Sequence, residues 1–385
     1  MEEYVQLHGL KVWGDSYLSY ARHRIKHYIN PFIGEVLVQD LTTHYLDLFY
    51  DSLLDKPAVA MKGQPGRTIS ASVVEKVHTL LRSALNQAVA WGYITTNPAD
   101  HCTLPPYKSK PRRVWTTEEV TKALTLCTDQ ILKVCMLIAI GCSLRIGEIL
   151  GLTWDCVNFE EGTLFVNKEQ KRCDKTSLND LDRKGDARVF YAFPNCKPDC
   201  STVLVLKAPK TDSSVRIVYM PKTVQDAVKQ LYEAQQELKD FLAGEYQDYN
   251  LVIAQNNGRP FERRLIENRF KALIRENDLP PVVFHSLRHT STTLKLQLAS
   301  GDIKAVQGDT GHAQARMVTD VYAAMHNEDR RRLAEKVESE FFGKMQAGDS
   351  DSGASNPTTQ LAHELLEKNP ELAQLLIAAS KAGDK

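Results

Sequence analysis

Four separated segments carry groups able to move charge or protons: GCSLRIGEILGLTW, APKTDSSVRIVYMP, HSLRHT and TGHAQARMVTDVY. In the first, Arg145 follows an apolar run and precedes Glu148 by three residues. That spacing makes an ion pair on one helical face, and it equally leaves a guanidinium able to clamp a phosphate through two parallel hydrogen bonds. Lys210 sits in Ala-Pro-Lys-Thr-Asp-Ser-Ser between two strand-like runs. Turn lysines are commonly just solvated, yet a hairpin tip can carry an ammonium into a DNA groove. In a helix, His285, Arg288 and His289 share a face. His312 stands in Thr-Gly-His at a helix start, and Tyr322 follows ten residues later.

Together the set fits one chemical task. Attack on a phosphodiester needs a nucleophile, cations for the charge growing on the nonbridging oxygens, and a proton for the departing oxygen. A tyrosine hydroxyl, with an ordinary pKa of about 10, needs help to lose its proton near neutral pH. Two arginines supply the charge stabilisation that metal ions give elsewhere. No carboxylate cluster suggests a metal site, so the expectation is chemistry without a metal or other cofactor. Zinc on His285 and His289 is disfavoured, because Ser286 stands where the His-Glu-x-x-His signature needs glutamate.

Arg145-x-x-Glu148, the Pro-Lys-Thr turn at Lys210, His285-x-x-Arg288, Thr-Gly-His312 and Tyr322 stand in the order found in tyrosine recombinases. The sequence resembles that lambda-integrase-like family over essentially residues 1–343, and mobile-element integrases most of all. The resemblance implies that Tyr322 attacks the scissile phosphate, leaving a 3′-phosphotyrosyl link and a free 5′-hydroxyl. It implies that Arg145 and Arg288 hold nonbridging oxygens and that Lys210 protonates the leaving oxygen. His285 would manage the Tyr322 proton and His312 would hydrogen-bond the phosphate, with Glu148 and His289 in support. The covalent link conserves the bond energy, so neither ATP nor a divalent metal is implied. The implied partners are double-stranded DNA recombination sites, further copies in a homo-tetramer acting through a Holliday junction, and an accessory excision factor. Two alternatives share part of this pattern: a type IB topoisomerase, and a DNA-binding architectural protein with a decayed site. The Thr-Gly-His…Tyr block and the full set of six catalytic residue types favour the recombinase.

Elements of known kind must carry these residues. The resemblance implies a mainly α fold: an all-α core-binding domain, then an α+β catalytic domain with a small antiparallel β-sheet, together a C-shaped clamp on DNA. The corresponding division is residues 1–101, a basic Pro-rich linker 102–113, a catalytic domain 114–343, and a flexible tail 344–385 with a short helix. Mobile-element integrases often carry an arm-binding domain before the core-binding one; the pattern here is expected to begin within the core-binding part, either because this branch lacks that domain or because it has been removed.

Local signals support helices first. Val74, Val77, Leu81, Leu85, Ala88 and Val89 recur at three- and four-residue steps. Ser70 or Ser72 caps that helix, Glu75 completes a capping box with Ser72, and Asn97-Pro98 ends it. An earlier helix is entered near Thr42 or Thr43. TTEEVTKAL opens at Thr116 or Thr117, and ILKVCMLIAIGCSL reads as a helix buried on most sides. Residues 163–167, 202–207 and 215–220 read as three short strands. The polar stretch of about 168–200 exceeds ordinary loop length and reads as an insertion. Its Cys173, Cys196 and Cys200 admit a zinc reading but lack an obvious fourth ligand.

Net charge is zero, with 48 basic and 48 acidic residues, which argues mildly against a simple nucleic-acid coat. Residues 1–113 carry 13 basic and 10 acidic groups, while residues 114–343 carry 31 and 32. Lys108, Lys110, Arg112 and Arg113 charge the linker, either as a solvated connector or as a segment lying along a phosphate backbone. No apolar run is long enough to span a membrane, and the first residues lack a signal peptide. The eight cysteines then read as reduced thiols in a cytoplasmic, DNA-associated protein.

Overall fold

A computed structural model describes residues 1–59, 66–107, 113–182, 188–195, 197, 199–209, 214–299 and 303–310, all within the unit Met1–Ala323. Apolar side chains there gather into two main cores, one from the first hundred or so residues and one from Trp115 onward.

The first core is built from helices α1 (Asp15–Arg24), α2 (Thr43–Leu54) and α3 (Ala71–Ala90), with short helical turns around them. On α3 the expected stripe is buried except for the half-buried Val89, with Leu80 and Ala84 added, against Leu46, Phe49, Tyr50 and Leu53 of α2. Thr42 caps α2, its hydroxyl accepting from the Tyr45 amide at 3.1 Å. Two local expectations fail at α3. Ser70 holds the N-cap position without a side-chain cap bond, so the Ser72–Glu75 box does not form. The helix also stops well before Asn97-Pro98. Gly92 adopts φ +78, and the Gly92 and Tyr93 amides donate back to Val89 and Ala88 carbonyls. Such a Schellman closure satisfies the last carbonyls, so a glycine ends the helix before a proline is needed.

The second core centres on α5 (Gln130–Gly141), which buries Leu132, Val134, Cys135, Met136, Ile138 and Ala139. Its start is capped by Asp129, and α4 (Thr117–Leu126) before it opens with a Thr116–Glu119 capping box. After the short α6 (Ile146–Leu150), strands β1 (Val157–Asn158) and β2 (Thr163–Val166) pair antiparallel with each other.

The stretch read as an insertion is folded. It contributes β3 (Glu169–Asp174), α7 (Lys175–Asp182) and β4 (Val189–Phe193), and β5 (Thr202–Lys207) follows. Strand β6 (Arg216–Tyr219) then returns to β2. There are accordingly two three-stranded antiparallel sheets among the described residues, ordered β1-β2-β6 and β3-β5-β4. The single small sheet expected from three strands is corrected, and residues 202–207 belong to the second sheet. The polar sequence EQKRCD hid β3 because its ladder with β5 supplies backbone bonds that side-chain hydrophobicity does not report. Helices α8 (Lys222–Leu242), α9 (Arg263–Glu276), α10 (His285–Leu298) and α11 (Ile303–Thr310) complete the described chain.

Helix α1 touches the second sheet through charge. The Asp15 carboxylate lies 2.7 Å from Lys171 Nζ and 2.8 Å from Lys207 Nζ, and accepts from the Cys173 thiol at 3.2 Å. Burial alone raises the Asp15 pKa, but the two ammonium groups outweigh it and hold the carboxyl well below the usual range. Burial first, then Asp15, pushes the Cys173 thiol up to about 12. Arg22 adds an ion pair to Asp180 at 2.7 Å. No helix of the described residues is long and apolar enough to cross a membrane.

Candidate active site

The link between α5 and α6 turns at Ser143, whose φ of +54 is uncommon for a residue with a side chain. This turn aims the Ser143 carbonyl at Arg288, which donates to it through Nη1. The Ser143 and Ser291 hydroxyls meet at 2.6 Å. Through these contacts the loop before Arg145 is stitched to α10, and two distant motifs come side by side.

Glu148 occupies the centre of the resulting cluster and is only 2% exposed. Its Oε1 accepts from Arg145 Nη1 at 2.6 Å, and its Oε2 accepts from the Arg145 amide at 2.9 Å. Arg216 Nη2 donates to Oε2 at 3.2 Å, and Arg288 Nη1 lies 3.8 Å from the same oxygen. The plain ion pair between Arg145 and Glu148 is therefore real, but the carboxylate is shared among three guanidinium groups. Arg216 and Arg288 are nearly sealed from solvent, whereas about a third of the Arg145 side chain is exposed. Arg145 is the outward-facing cation of the three.

Burial works to raise the Glu148 pKa. Arg216, Arg145 with its amide, and Arg288 outweigh it and keep the carboxyl below its ordinary value. Burial, then the nearby Arg145, pulls Arg288 down to about 9, which leaves it charged at neutral pH. Within this cluster three guanidinium groups answer the single Glu148 carboxylate, an excess of positive charge among these four groups. Such an excess suits an anion that gains charge during reaction.

The second guanidinium nitrogen of Arg288 donates to the Thr310 carbonyl at the end of α11. Lys295 pairs with Asp309 on the same two helices. His285 and His289 lie on α10 with Arg288, one turn apart, their rings 4.8 Å apart and nearly perpendicular.

Of the sequence-derived candidates, Arg145, Glu148 and Arg288 are brought together, and His285 and His289 share the Arg288 helix. Lys210, His312 and Tyr322 lie outside the described residues. So do Lys108, Lys110 and Arg112, while Arg113 forms an ion pair with Glu119 at 2.7 Å. Arg216 was missed by sequence reasoning. The signal was present: along RIVYM a two-residue period places Arg216 on the same inward face as Val218 and Met220.

Among the described residues no group of three His, Cys, Asp or Glu side chains is arranged to hold a metal ion. Of the cysteines considered for zinc, Cys173 turns its thiol to Asp15, Cys200 meets the Thr202 hydroxyl, and Cys196 lies outside the described residues.

Comparison with known proteins points to one family. The phage integrase family pattern matches residues 196–329. That match, the mainly helical fold with small antiparallel sheets and the ordered motifs make the chain similar to the tyrosine recombinases, a family of site-specific recombinases. Among particular proteins it is similar to the ICEBs1 integrase of Bacillus subtilis (strain 168), 25% identical over 70% of this chain and 66% of that protein. It is also similar to a XerC-like tyrosine recombinase of Caldanaerobacter subterraneus, 22% identical over 85% of this chain and 78% of that protein. In fold it is similar to the Tn1549 transposon integrase in complex with a circular intermediate DNA. That likeness has a TM-score of 0.64 and 18% identity, covering 87% of this chain and 98% of the other. The lambda integrase dimer bound to a core site follows with a TM-score of 0.54 and 17% identity, covering 83% and 93%.

Proposed function

We propose that this chain cuts and rejoins DNA at specific sites through a 3′-phosphotyrosyl intermediate on Tyr322 and a Holliday junction, integrating or excising a mobile element. The observation that carries the reading is the meeting of Arg145 and Arg288 at one buried carboxylate, Glu148. Two guanidinium groups fixed in that way are prepaid charge stabilisation for a phosphoryl centre, because they need no reorganisation when charge develops.

In this reading Arg145 and Arg288 take the nonbridging oxygens while Glu148 holds their separation. His285, at the start of α10, takes or returns the Tyr322 proton. Lys210 protonates the departing 5′-oxygen, and His312 hydrogen-bonds the phosphate. His289 supports His285 from the next turn. The roles of Lys210, His312 and Tyr322 rest on motif order.

Residues 1–101 would form the core-binding domain and 114–343 the catalytic domain, closing as a C-shaped clamp on DNA. The segment 102–113 would be the basic linker and 344–385 the tail. The chain would work as a homo-tetramer on paired duplexes, with an accessory factor favouring excision; two proteins similar in fold support the DNA-bound assembly. One is the Tn1549 integrase on circular intermediate DNA, and the other a lambda integrase tetramer bound to a Holliday junction.

The test is covalent capture. The full chain is incubated with sheared genomic DNA of its source, and protein-linked fragments are recovered after denaturation and sequenced. Recurrent recovery of one junction, with the linked residue mapped to Tyr322, is expected. Tyr322→Phe should bind the recovered duplex and form no adduct. An adduct that persists in that variant, or random fragments only, overturns the reading.

A further inference from the structure

We infer that Arg216 is a positioning residue for strand cleavage, holding the Arg145–Glu148–Arg288 cluster in the geometry that receives the phosphate. The inference rests on the function proposed above and deepens it. Three hydrogen bonds leave this one guanidinium in three directions. Nη2 reaches Glu148 Oε2 at 3.2 Å, Nη1 reaches the Ser214 carbonyl at 3.0 Å, and Nε reaches the Asp309 carbonyl at 3.2 Å. One planar fork thereby ties the start of β6, the α6 carboxylate and the end of α11.

Those three attachments matter because of what each segment carries. In sequence Ser214 follows Lys210 by four residues, and Asp309 immediately precedes the Thr310-Gly-His312 motif. Glu148 holds Arg145 and Arg288. A buried arginine in a short strand is costly to keep unless its donors are satisfied, and here one bond goes to the Glu148 carboxylate and two to backbone carbonyls adjoining the Lys210 and His312 motifs in sequence. The planar five-donor fork suits this task. An ammonium, being a compact point charge, cannot span three acceptors in fixed directions. Arg216→Lys thus keeps the charge and loses the geometry.

The test uses the duplex recovered by covalent capture, made in two forms. One has the ordinary scissile phosphodiester, and the other a methylphosphonate in which a neutral methyl replaces one charged nonbridging oxygen. The neutral centre depends less on oriented cations. On the phosphodiester, Arg216→Gln and Arg216→Lys are expected to slow covalent adduct formation by about 10²-fold, the usual cost of a lost charge-stabilising donor. On the methylphosphonate the gap to the wild-type chain should shrink at least tenfold.

An equal loss on both substrates in both variants marks Arg216 as a fold-supporting residue and overturns the inference. So does a wild-type rate in Arg216→Lys on the phosphodiester. Arg145→Lys serves as the benchmark. If it shows no shrinkage while the wild-type chain forms adduct, the failure lies in the role given to Arg145. If the wild-type chain forms no adduct, it lies in the proposed function itself.

Discussion

Glu148 and Arg216 face each other at 3.2 Å with 3% and 6% of their side chains exposed, on elements far apart in sequence. A buried carboxylate that answers three guanidinium groups holds this cluster together, and its removal has two distinct consequences.

Glu148→Gln keeps the shape and one acceptor but removes the negative charge that Arg145, Arg216 and Arg288 share. Breaking a buried charge pair from one side costs about 3–5 kcal/mol, so the urea midpoint should fall by that equivalent and strand cleavage should fall with it. A variant with wild-type stability contradicts the central place given to this carboxylate.

Stability should also depend on pH in a defined sense. The folded Glu148 pKa is depressed below its unfolded value of about 4.3. Its contribution is then fully present above that unfolded value and is lost as pH falls through the folded one. Unfolding midpoints measured between about pH 7 and pH 3 should drop on the acid side, and less steeply in Glu148→Gln than in the wild-type chain. Identical slopes would show that the carboxylate is not the titrating group.

Asp15 makes a separate prediction. Its carboxylate joins Lys171 and Lys207 and covers the Cys173 thiol. Asp15→Asn removes the charge that helps hold that thiol protonated and loosens the contact between α1 and the second sheet. Alkylation of Cys173, followed by mass spectrometry of its peptide, should speed up several-fold. An unchanged rate means that Asp15 does not guard the thiol.

Gly151 seats α6 against β3. A Cβ there would stand 2.8 Å from the Gln170 amide nitrogen and 2.9 Å from Glu169 backbone atoms, neither of which can rotate away. Gly151→Ala should cost about 1–3 kcal/mol as overpacking, read as a lowered unfolding midpoint. Since α6 carries Glu148, cleavage should weaken too. A neutral substitution here indicates that the two elements separate more readily than their contacts suggest.

The sequence was most informative about apolar spacing and caps within single elements. The stripe on α3, the Thr42 and Thr116 caps and the apolar α5 follow from local spacing and local bonds. It was less informative where a partner strand decides. The polar β3 owes its strand state to β5, and α3 ended at Gly92 because backbone closure was available before Asn97-Pro98. The candidate site divided in the same way. Arg145, Glu148 and Arg288 announced themselves by motif, while Arg216, inside a short strand, was visible only as a charge on an apolar face.

What the sequence determined by itself was the inventory and order of reactive groups, since spacing within each motif is a covalent fact. Only the tertiary structure decided which of them share a carboxylate. Segments separated along the chain have no fixed distance until the turn at Ser143 and the packing of α5 against α10 set one. Arg216, unremarked in the sequence, becomes once buried part of a cluster of three guanidinium groups around one carboxylate.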